Sequence, residues 1–445
     1  MLLRIKRVLA ALAVVLATGL LLSGCLNSTI DELLSLPQPS EEYLELQKSI
    51  DEIVASGASY SAPSSGSHRQ SVQLYDVNGD GVNEALAFFS VAGEKPLKIY
   101  VFRLVGSRYE AAAVIEGDGT GIDSISYLDM NGDGWSEIVV GWRMGPEIQM
   151  LNIYALKGFA VSSVAATDYD EYLTADLDDN GREDLLVMRQ VGGDDAGSVV
   201  AYTMTGDGET ESSEARLSLG SKNVAKAVTG QLVDGSAALF VESVYGGTGL
   251  ITDIFVSREG QLRNISDDGS GVSNSTVRYY TVYCRDINND GIMEIPIPRS
   301  LPAQGETGYR ALDWYSYSAQ GRDLLAVSTY HNYSDSWYLI LPKSWGSDIT
   351  VRREDSASGE RAVVFSVWNG EGEPVTDFLK IYALSGENRS EAARRGSRQV
   401  LRREDEVIYS AELLPEGEKW EYMVDFQYLR EHFFLIYSEW ITGLT

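Results

Sequence analysis

From about residue 70 to residue 331 the chain alternates short apolar runs with clusters of Gly, Asn, Asp and Ser, the pattern of strands joined by tight turns. The first unit of this pattern predicts strands over Ser71–Tyr75, Ala85–Val91, Leu97–Val105 and Tyr109–Ile115, with Gly106-Ser107 turning the last pair. A second unit repeats it with Ile138–Trp142, Gln149–Leu156 and Phe159–Ala165. Each unit is therefore expected to be a four-stranded antiparallel sheet. A lone sheet of that size cannot bury both faces, so the units must stack on one another.

Between the first two strands of a unit lies a segment that recurs. Asp76-Val77-Asn78-Gly79-Asp80-Gly81-Val82-Asn83-Glu84 has counterparts starting at Asp129, Asp176 and Asp286. Positions 1, 3, 5 and 9 carry Asp76, Asn78, Asp80 and Glu84 in the first copy and Asp129, Asn131, Asp133 and Glu137 in the second. The third copy has Asp176, Asp178, Asn180 and Asp184, and the fourth Asp286, Asn288, Asp290 and Glu294. Calcium takes six to eight oxygen ligands. These side chains, with the carbonyl of position 7 (Val82, Trp135, Arg182 and Ile292), offer an all-oxygen set. An EF-hand would need a bidentate Glu at its twelfth position, where this chain has Ala87, Val140, Val187 and Ile297. The acid stands at the ninth position instead, directly before an apolar run, as in a compact calcium loop that caps a strand. Position 6 is glycine in every copy (Gly81, Gly134, Gly181, Gly291), which permits positive φ. Position 2 is apolar (Val77, Met130, Leu177, Ile287) and is expected to anchor the loop in the core. The plainer reading of any one copy is a hairpin turn. Four copies that each keep an acid at position 9, where a turn asks for nothing, favour calcium.

The first aspartates stand 53, 47 and 110 residues apart, and the last gap spans about two periods. Val228–Val241 fills it, keeping strand, turn and strand around Asp234-Gly235-Ser236 without the ligands. Five units with a period near fifty residues are the signature of propeller blades. The expected fold is mainly β: a β-propeller of about five four-stranded blades with calcium loops over residues 67–331, plus a small C-terminal α+β domain over 332–445. The repeated Asp-x-Asn-Gly-Asp-Gly-x-x-Glu before an apolar strand resembles the FG-GAP or VCBS class of calcium-binding propeller repeats, found in integrin-type heads and many secreted bacterial proteins. That resemblance implies a propeller, Ca2+ as cofactor, and a role in adhesion or ligand binding. The Phe-Gly and Gly-Ala-Pro signature is missing, so the loop-only class fits better.

At the amino terminus Arg4, Lys6 and Arg7 precede the apolar run Val8–Leu22, which ends in Leu22-Ser23-Gly24-Cys25. This resembles the lipobox of bacterial lipoproteins and implies an export signal over residues 1–25, cleavage, and lipid on Cys25. The alternative, a transmembrane helix, is disfavoured because the run is short of the roughly 20 residues a span needs and ends on small residues. Acyl chains would then anchor the protein to the membrane. Residues 26–66 read as a tether and an amphipathic helix, Ser40–Gly57, with Tyr43, Leu46, Ile50, Ile53 and Val54 on one face. That face is expected to pack on the outside of the propeller rather than await a partner. Only Cys284 remains after Cys25, so no internal disulfide forms, and Cys284 is expected to be a buried, inert thiol.

Beyond His331 arginine becomes common and the acidic loops stop. Strands are predicted over Trp337–Pro342, Ile349–Arg353, Arg361–Trp368, Phe378–Leu384 and Glu406–Leu413, then a helix over Glu421–Phe434. The arrangement resembles small α+β domains of Gram-positive lipoproteins. A rival count, blades of 52 residues from Ser71, would make this tail two blades without calcium loops.

The net charge of −29, −32 once Arg4, Lys6 and Arg7 are removed, repels nucleic acid and anionic lipid and speaks against a nucleotide partner. Gly117-Asp118-Gly119-Thr120-Gly121 lacks the Lys-Ser/Thr of a phosphate loop. The three histidines, His68, His331 and His432, fall in no nucleophile motif. The expected function is a lipid-anchored, extracytoplasmic, calcium-binding propeller that serves as a binding or adhesion module at the cell envelope for a protein or glycan ligand, with Tyr245–Gly249 and Gln190–Gly197 as candidate rim loops. The alternatives are an extracellular polysaccharide hydrolase or lyase, for which acid pairs abound, and a structural subunit of an envelope complex.

Overall fold

The computed structural model describes residues 41–190, 196–302, 308–355, 360–370 and 374–437. The export signal, Cys25, the tether with Ser40, and most of the candidate loop Gln190–Gly197 lie outside the described residues. Among the described residues no helix is long and apolar enough to cross a membrane. Contacts group the chain into two units, Met1–Ile122 and Asp123–Thr445.

In the first unit α1 (Glu41–Ala55) precedes β1 (Ser59–Tyr60), β2 (Val72–Tyr75), β3 (Glu84–Ser90), β4 (Leu97–Val105) and β5 (Arg108–Gly117). β3 pairs with β4 and β4 with β5, while β1 and β2 share the remaining edge of β3. α1 ends where Gly57 adopts φ 101 and its amide reaches Val54 O at 3.0 Å. Leu46 and Ile50 are buried with Ala85, Ala87, Phe89 and Phe102 of the sheet. Tyr43 and Val54, expected on the same face, are 45% and 39% exposed. Ile53 packs partly buried against the same cluster, so the stripe that meets the sheet runs from Leu46 to Ile53 and leaves both ends of the predicted face to solvent.

The second unit holds five sheets. β6 (Gly121–Leu128), β7 (Glu137–Arg143), β8 (Gln149–Ala155) and β9 (Ser162–Asp168) form one; β10 (Glu171–Ala175), β11 (Asp184–Gln190), β12 (Gly197–Met204) and β13 (Thr210–Arg216) the next. β14 (Val224–Gln231), β15 (Ala237–Tyr245), β16 (Gly249–Arg258) and β17 (Gln261–Asn264) make a third. All three run in sequence order, as the hydrophobic pattern predicts. The strand expected from Phe159 begins three residues later, because Gly158 and Phe159 take φ 60 and 63, which an extended strand cannot hold.

The remaining two sheets have five strands each. β18 (Glu294–Ser300), β19 (Arg310–Tyr317), β20 (Asp323–Asn332) and β21 (Trp337–Leu341) lie in order. β22 (Ile349–Asp355), β23 (Glu360–Trp368), β24 (Pro374–Ser385), β25 (Gln399–Arg403) and β26 (Val407–Leu413) follow, with the order β22-β23-β24-β26-β25 and a short α2 (Arg389–Ala392) between β24 and β25. The helix expected over Glu421–Phe434 is only α3 (Phe426–His432): Asp425 caps it by accepting from Tyr428 N at 2.8 Å, and Phe433 leaves it to pair with Leu339. The last strand, β27 (Phe433–Leu435), thereby joins the edge of β21. The expected boundary at 331/332 falls inside β20. Trp337, Leu339, Phe365, Phe378, Tyr409 and Phe433 belong to one buried cluster that runs through both five-stranded sheets.

Apolar clusters likewise join each earlier sheet of this unit to the next: Val139 and Leu151 with Leu185 and Val187, Leu186 and Val199 with Leu239 and Phe255, Phe240 and Ile254 with Ile295 and Tyr317. Within this unit the repeated apolar strands give a succession of five sheets joined through shared apolar clusters.

Candidate functional site

All four acidic segments form loops of the same construction. The carboxylate at position 1 is the hub. Asp76 Oδ1 accepts from the amides of Gly79 (2.8 Å) and Asp80 (3.2 Å), and its Oδ2 from Gly81 (2.8 Å). Asp129 does the same for Gly132, Asp133 and Gly134 at 2.8, 3.1 and 3.0 Å. Asp176 and Asp286 each hold the amides of positions 5 and 6. Position 3 caps position 5, as Asn78 Oδ1 does for Asp80 N at 2.9 Å, and position 5 caps position 7, as Asp133 Oδ1 does for Trp135 N at 2.9 Å. The amides of Val82, Arg182 and Ile292 are held in the same way.

The backbone explains the glycines. Gly81, Gly134, Gly181 and Gly291 take φ of 85, 87, 82 and 86. Position 4 is also left-handed, with Gly79, Gly132, Asp179 and Asn289 at φ 70, 74, 59 and 59. The sequence reading missed this second left-handed position, although its signal was present: only Gly, Asp and Asn occur there, the residues that tolerate this region. The apolar residue at position 2 is buried in each copy, Val77, Met130, Leu177 and Ile287 being 0, 2, 3 and 1% exposed. It anchors the loop as expected.

Position 9 opens the following strand, so Glu84, Glu137, Asp184 and Glu294 are the first residues of β3, β7, β11 and β18. All four are buried. One oxygen reaches back to the amide of position 2: Glu84 to Val77 (3.0 Å), Glu137 to Met130 (2.9 Å), Glu294 to Ile287 (3.1 Å), and Asp184 to Leu177. The other oxygen is satisfied unevenly. Asn78 Nδ2 donates to Glu84 Oε1 at 3.0 Å, whereas Asp184 Oδ2 and Glu294 Oε1 are buried without a hydrogen-bond partner among the described residues. Burial pushes the carboxyls of Glu84, Glu137 and Asp184 up to about 7 and that of Glu294 to about 8, and the neighbouring aspartates at positions 1 and 5, or 1 and 3 in the third loop, add to the shift.

This donor set suits a hard cation: oxygen only, three carboxylates in each loop, and in two loops a buried carboxylate oxygen that accepts no hydrogen bond among the described residues. Yet the loop side chains are turned onto their own backbone amides, and among the described residues no group of three or more His, Cys, Asp or Glu side chains is gathered to hold a metal.

The degenerate unit is built differently. Asp234 sits in the β14–β15 turn and accepts from Ser236 N (3.3 Å) and from Ala319 N (3.0 Å). It pins the turn to a neighbouring sheet. In place of an acidic loop this sheet carries a fully buried Glu242–Arg278 pair, with Thr252 Oγ1 2.9 Å from Arg278 Nη1 and Cys284 N 2.8 Å from Glu242 Oε1. Cys284 is buried, and burial pushes its thiol well above the usual range, as an inert thiol requires.

No family model matches this chain, and no curated protein matches it. Among solved structures it is similar to a crystal structure of a protein from Lactobacillus plantarum, with a TM-score of 0.26 and 8% identity over 67% of this chain and 84% of that one. A likeness so distant carries no weight for fold or function.

Proposed function

We propose that the chain is a lipid-anchored, extracytoplasmic β-propeller whose four acidic loops bind Ca2+, and that it acts as a binding or adhesion module at the cell envelope for a protein or glycan ligand. One observation supports this reading above others. Four buried carboxylates stand at equivalent places, each beside two more acids, and the side-chain cations near them are few, Arg182 beside Asp184 and Lys157 3.5 Å from Asp133. A plain hairpin gains only the bond from one oxygen to the position 2 amide, which a neutral acceptor could make without the cost of burying an acid beside two others. In each loop positions 1, 3, 5 and 9 would hold the ion, with the position 7 carbonyl of Val82, Trp135, Arg182 or Ile292. Bound calcium would supply the missing positive charge and stiffen the turn at the head of the strand. The succession of antiparallel sheets in the second unit, three of four strands and two of five, supports a blade-like arrangement. The lipobox-like Leu22-Ser23-Gly24-Cys25 supports the anchor.

Isothermal titration of the full chain in detergent, freed of metal by chelation, tests the calcium assignment. Uptake of four calcium ions is expected, and three in Glu294→Gln, which keeps the shape and removes the charge. No heat of binding, or an unchanged stoichiometry in the variant, would remove the main support for the reading.

A further inference from the structure

In the second unit, a cavity of about 320 Å³ opens beside β18, at the small end of the range for ligand sites. Three of its rings are left partly to solvent: Tyr280, Tyr309 and Tyr333 are 41, 37 and 47% exposed. The Arg310 guanidinium lies 4.6 Å from the centre of the Tyr280 ring, and among the described residues it has no ion pair. In a chain with net charge −29, a cation at a cavity wall that no acid among the described residues pairs with is notable. His331, also on the wall, stacks on Tyr338 and Trp314, and burial, with Arg285 nearby, pushes its pKa down to about 3, so Arg310 is the cation among the residues that line the cavity. The candidate rim loop Tyr245–Gly249 adjoins the segment that brings in Tyr280, through Thr281 Oγ1 to Thr248 O at 2.9 Å.

The wall also says what does not fit. β18 is an edge strand, and Pro296 and Pro298 remove two amides from it. An extended peptide cannot add to that edge by regular pairing. A small ring is a better match: the C–H face of a pyranose lies on an aromatic ring, its hydroxyls meet the phenol tips, and a ring carboxylate meets the guanidinium in a bidentate pair. We propose that this cavity binds a carboxylate-bearing sugar, a uronic acid unit of an anionic glycan. The proposal rests on the binding-module reading and names its ligand class, but it does not depend on the calcium assignment.

The test compares methyl β-D-glucuronide with methyl β-D-glucoside by titration calorimetry on the full chain in a sugar-free zwitterionic detergent, with and without calcium. Binding of the glucuronide is expected with a Kd on the order of 1 mM, at least about tenfold tighter than the glucoside. Arg310→Gln should bring the two sugars to the same weak affinity, and Tyr309→Ala or Tyr333→Ala should lose both. All three side chains are exposed, and circular dichroism verifies that each variant is folded. Equal affinity for the two sugars, unchanged glucuronide binding in Arg310→Gln, or no binding of either sugar would overturn the proposal. So would binding of an acetylated acidic peptide by a chain that takes no glucuronide. Calcium uptake without sugar binding would sink this site and leave the calcium-binding module standing; sugar binding without calcium uptake would do the reverse.

Discussion

A carboxylate taken out of water resists ionisation, and position 9 places one at the head of β3, β7, β11 and β18. Its folded pKa, about 7 to 8, lies above the roughly 4 of an unfolded aspartate or glutamate. Between those values the folded chain keeps protons that the unfolded chain has lost, so stability falls as pH rises through the window. In calcium-free buffer the full chain should therefore melt at a lower temperature at about pH 8 than at about pH 5.5. Saturating calcium should shrink the difference, because the cation replaces the proton. Differential scanning calorimetry at both values decides it; a flat or rising calcium-free profile would show that these acids do not titrate as their burial requires. The left-handed glycines carry a second expectation. Gly134 has φ +87 and no atom within 4 Å of an added Cβ. Gly134→Ala should thus cost about 1–2 kcal/mol from the backbone alone, whereas Gly145→Ala, also in open space but without a positive φ, should stay within about 0.5 kcal/mol. Urea unfolding of both variants measures the difference.

At the scale of elements, the repeating device is a hairpin whose turn is locked by side chains. Position 1 gathers the amides of the turn, position 2 roots it, and position 9 hands over to the strand. The fourth copy shows how little first strand is needed: before β18 only Arg285 pairs with Glu294 as an isolated bridge. The loop is kept although its leading strand has shrunk. α1 shows the other kind of element, held by packing rather than by its own hydrogen bonds. Leu46 is 5% exposed and touches the first sheet's core, while Tyr43 is 45% exposed. Leu46→Ala should cost about 2–5 kcal/mol and Tyr43→Ala less than about 0.5. Equal losses in chemical denaturation would mean that the helix is buried over the whole predicted face.

For the second unit as a whole, the decisive contact is made by the last described strand. Phe433 packs 5.4 Å from both Trp337 and Tyr409, one in each five-stranded sheet. Phe433→Ala should cost about 3–5 kcal/mol and lower hydrogen-exchange protection in β20 and β23 together, since one core serves both. Loss of protection in β20 alone would show that the two sheets unfold separately. The residues after β21 thus complete a sheet begun more than a hundred residues earlier.

The periodic strands, the four loops, the glycine at position 6 and the buried residue at position 2 were all legible in the sequence, because each is a local rule. Alternation specifies a strand, a positive φ demands a permissive residue, and a short apolar side chain next to a turn has only the core to enter. What remained hidden depended on residues far apart in the chain. Nothing near Phe433 says that it will pair with Leu339, so a helix and a separate tail were expected where the chain makes α3 and then β27. Nothing near Asp234 says that Ala319 will meet it. The spacing of acids could propose ligands, but whether a second oxygen of Glu294 finds a donor was decided only when the sheets packed and removed water from it. Local sequence determined which segments form strands and turns; burial, which exists only in the assembled protein, decided the charge state of the acids and which strand closes each sheet.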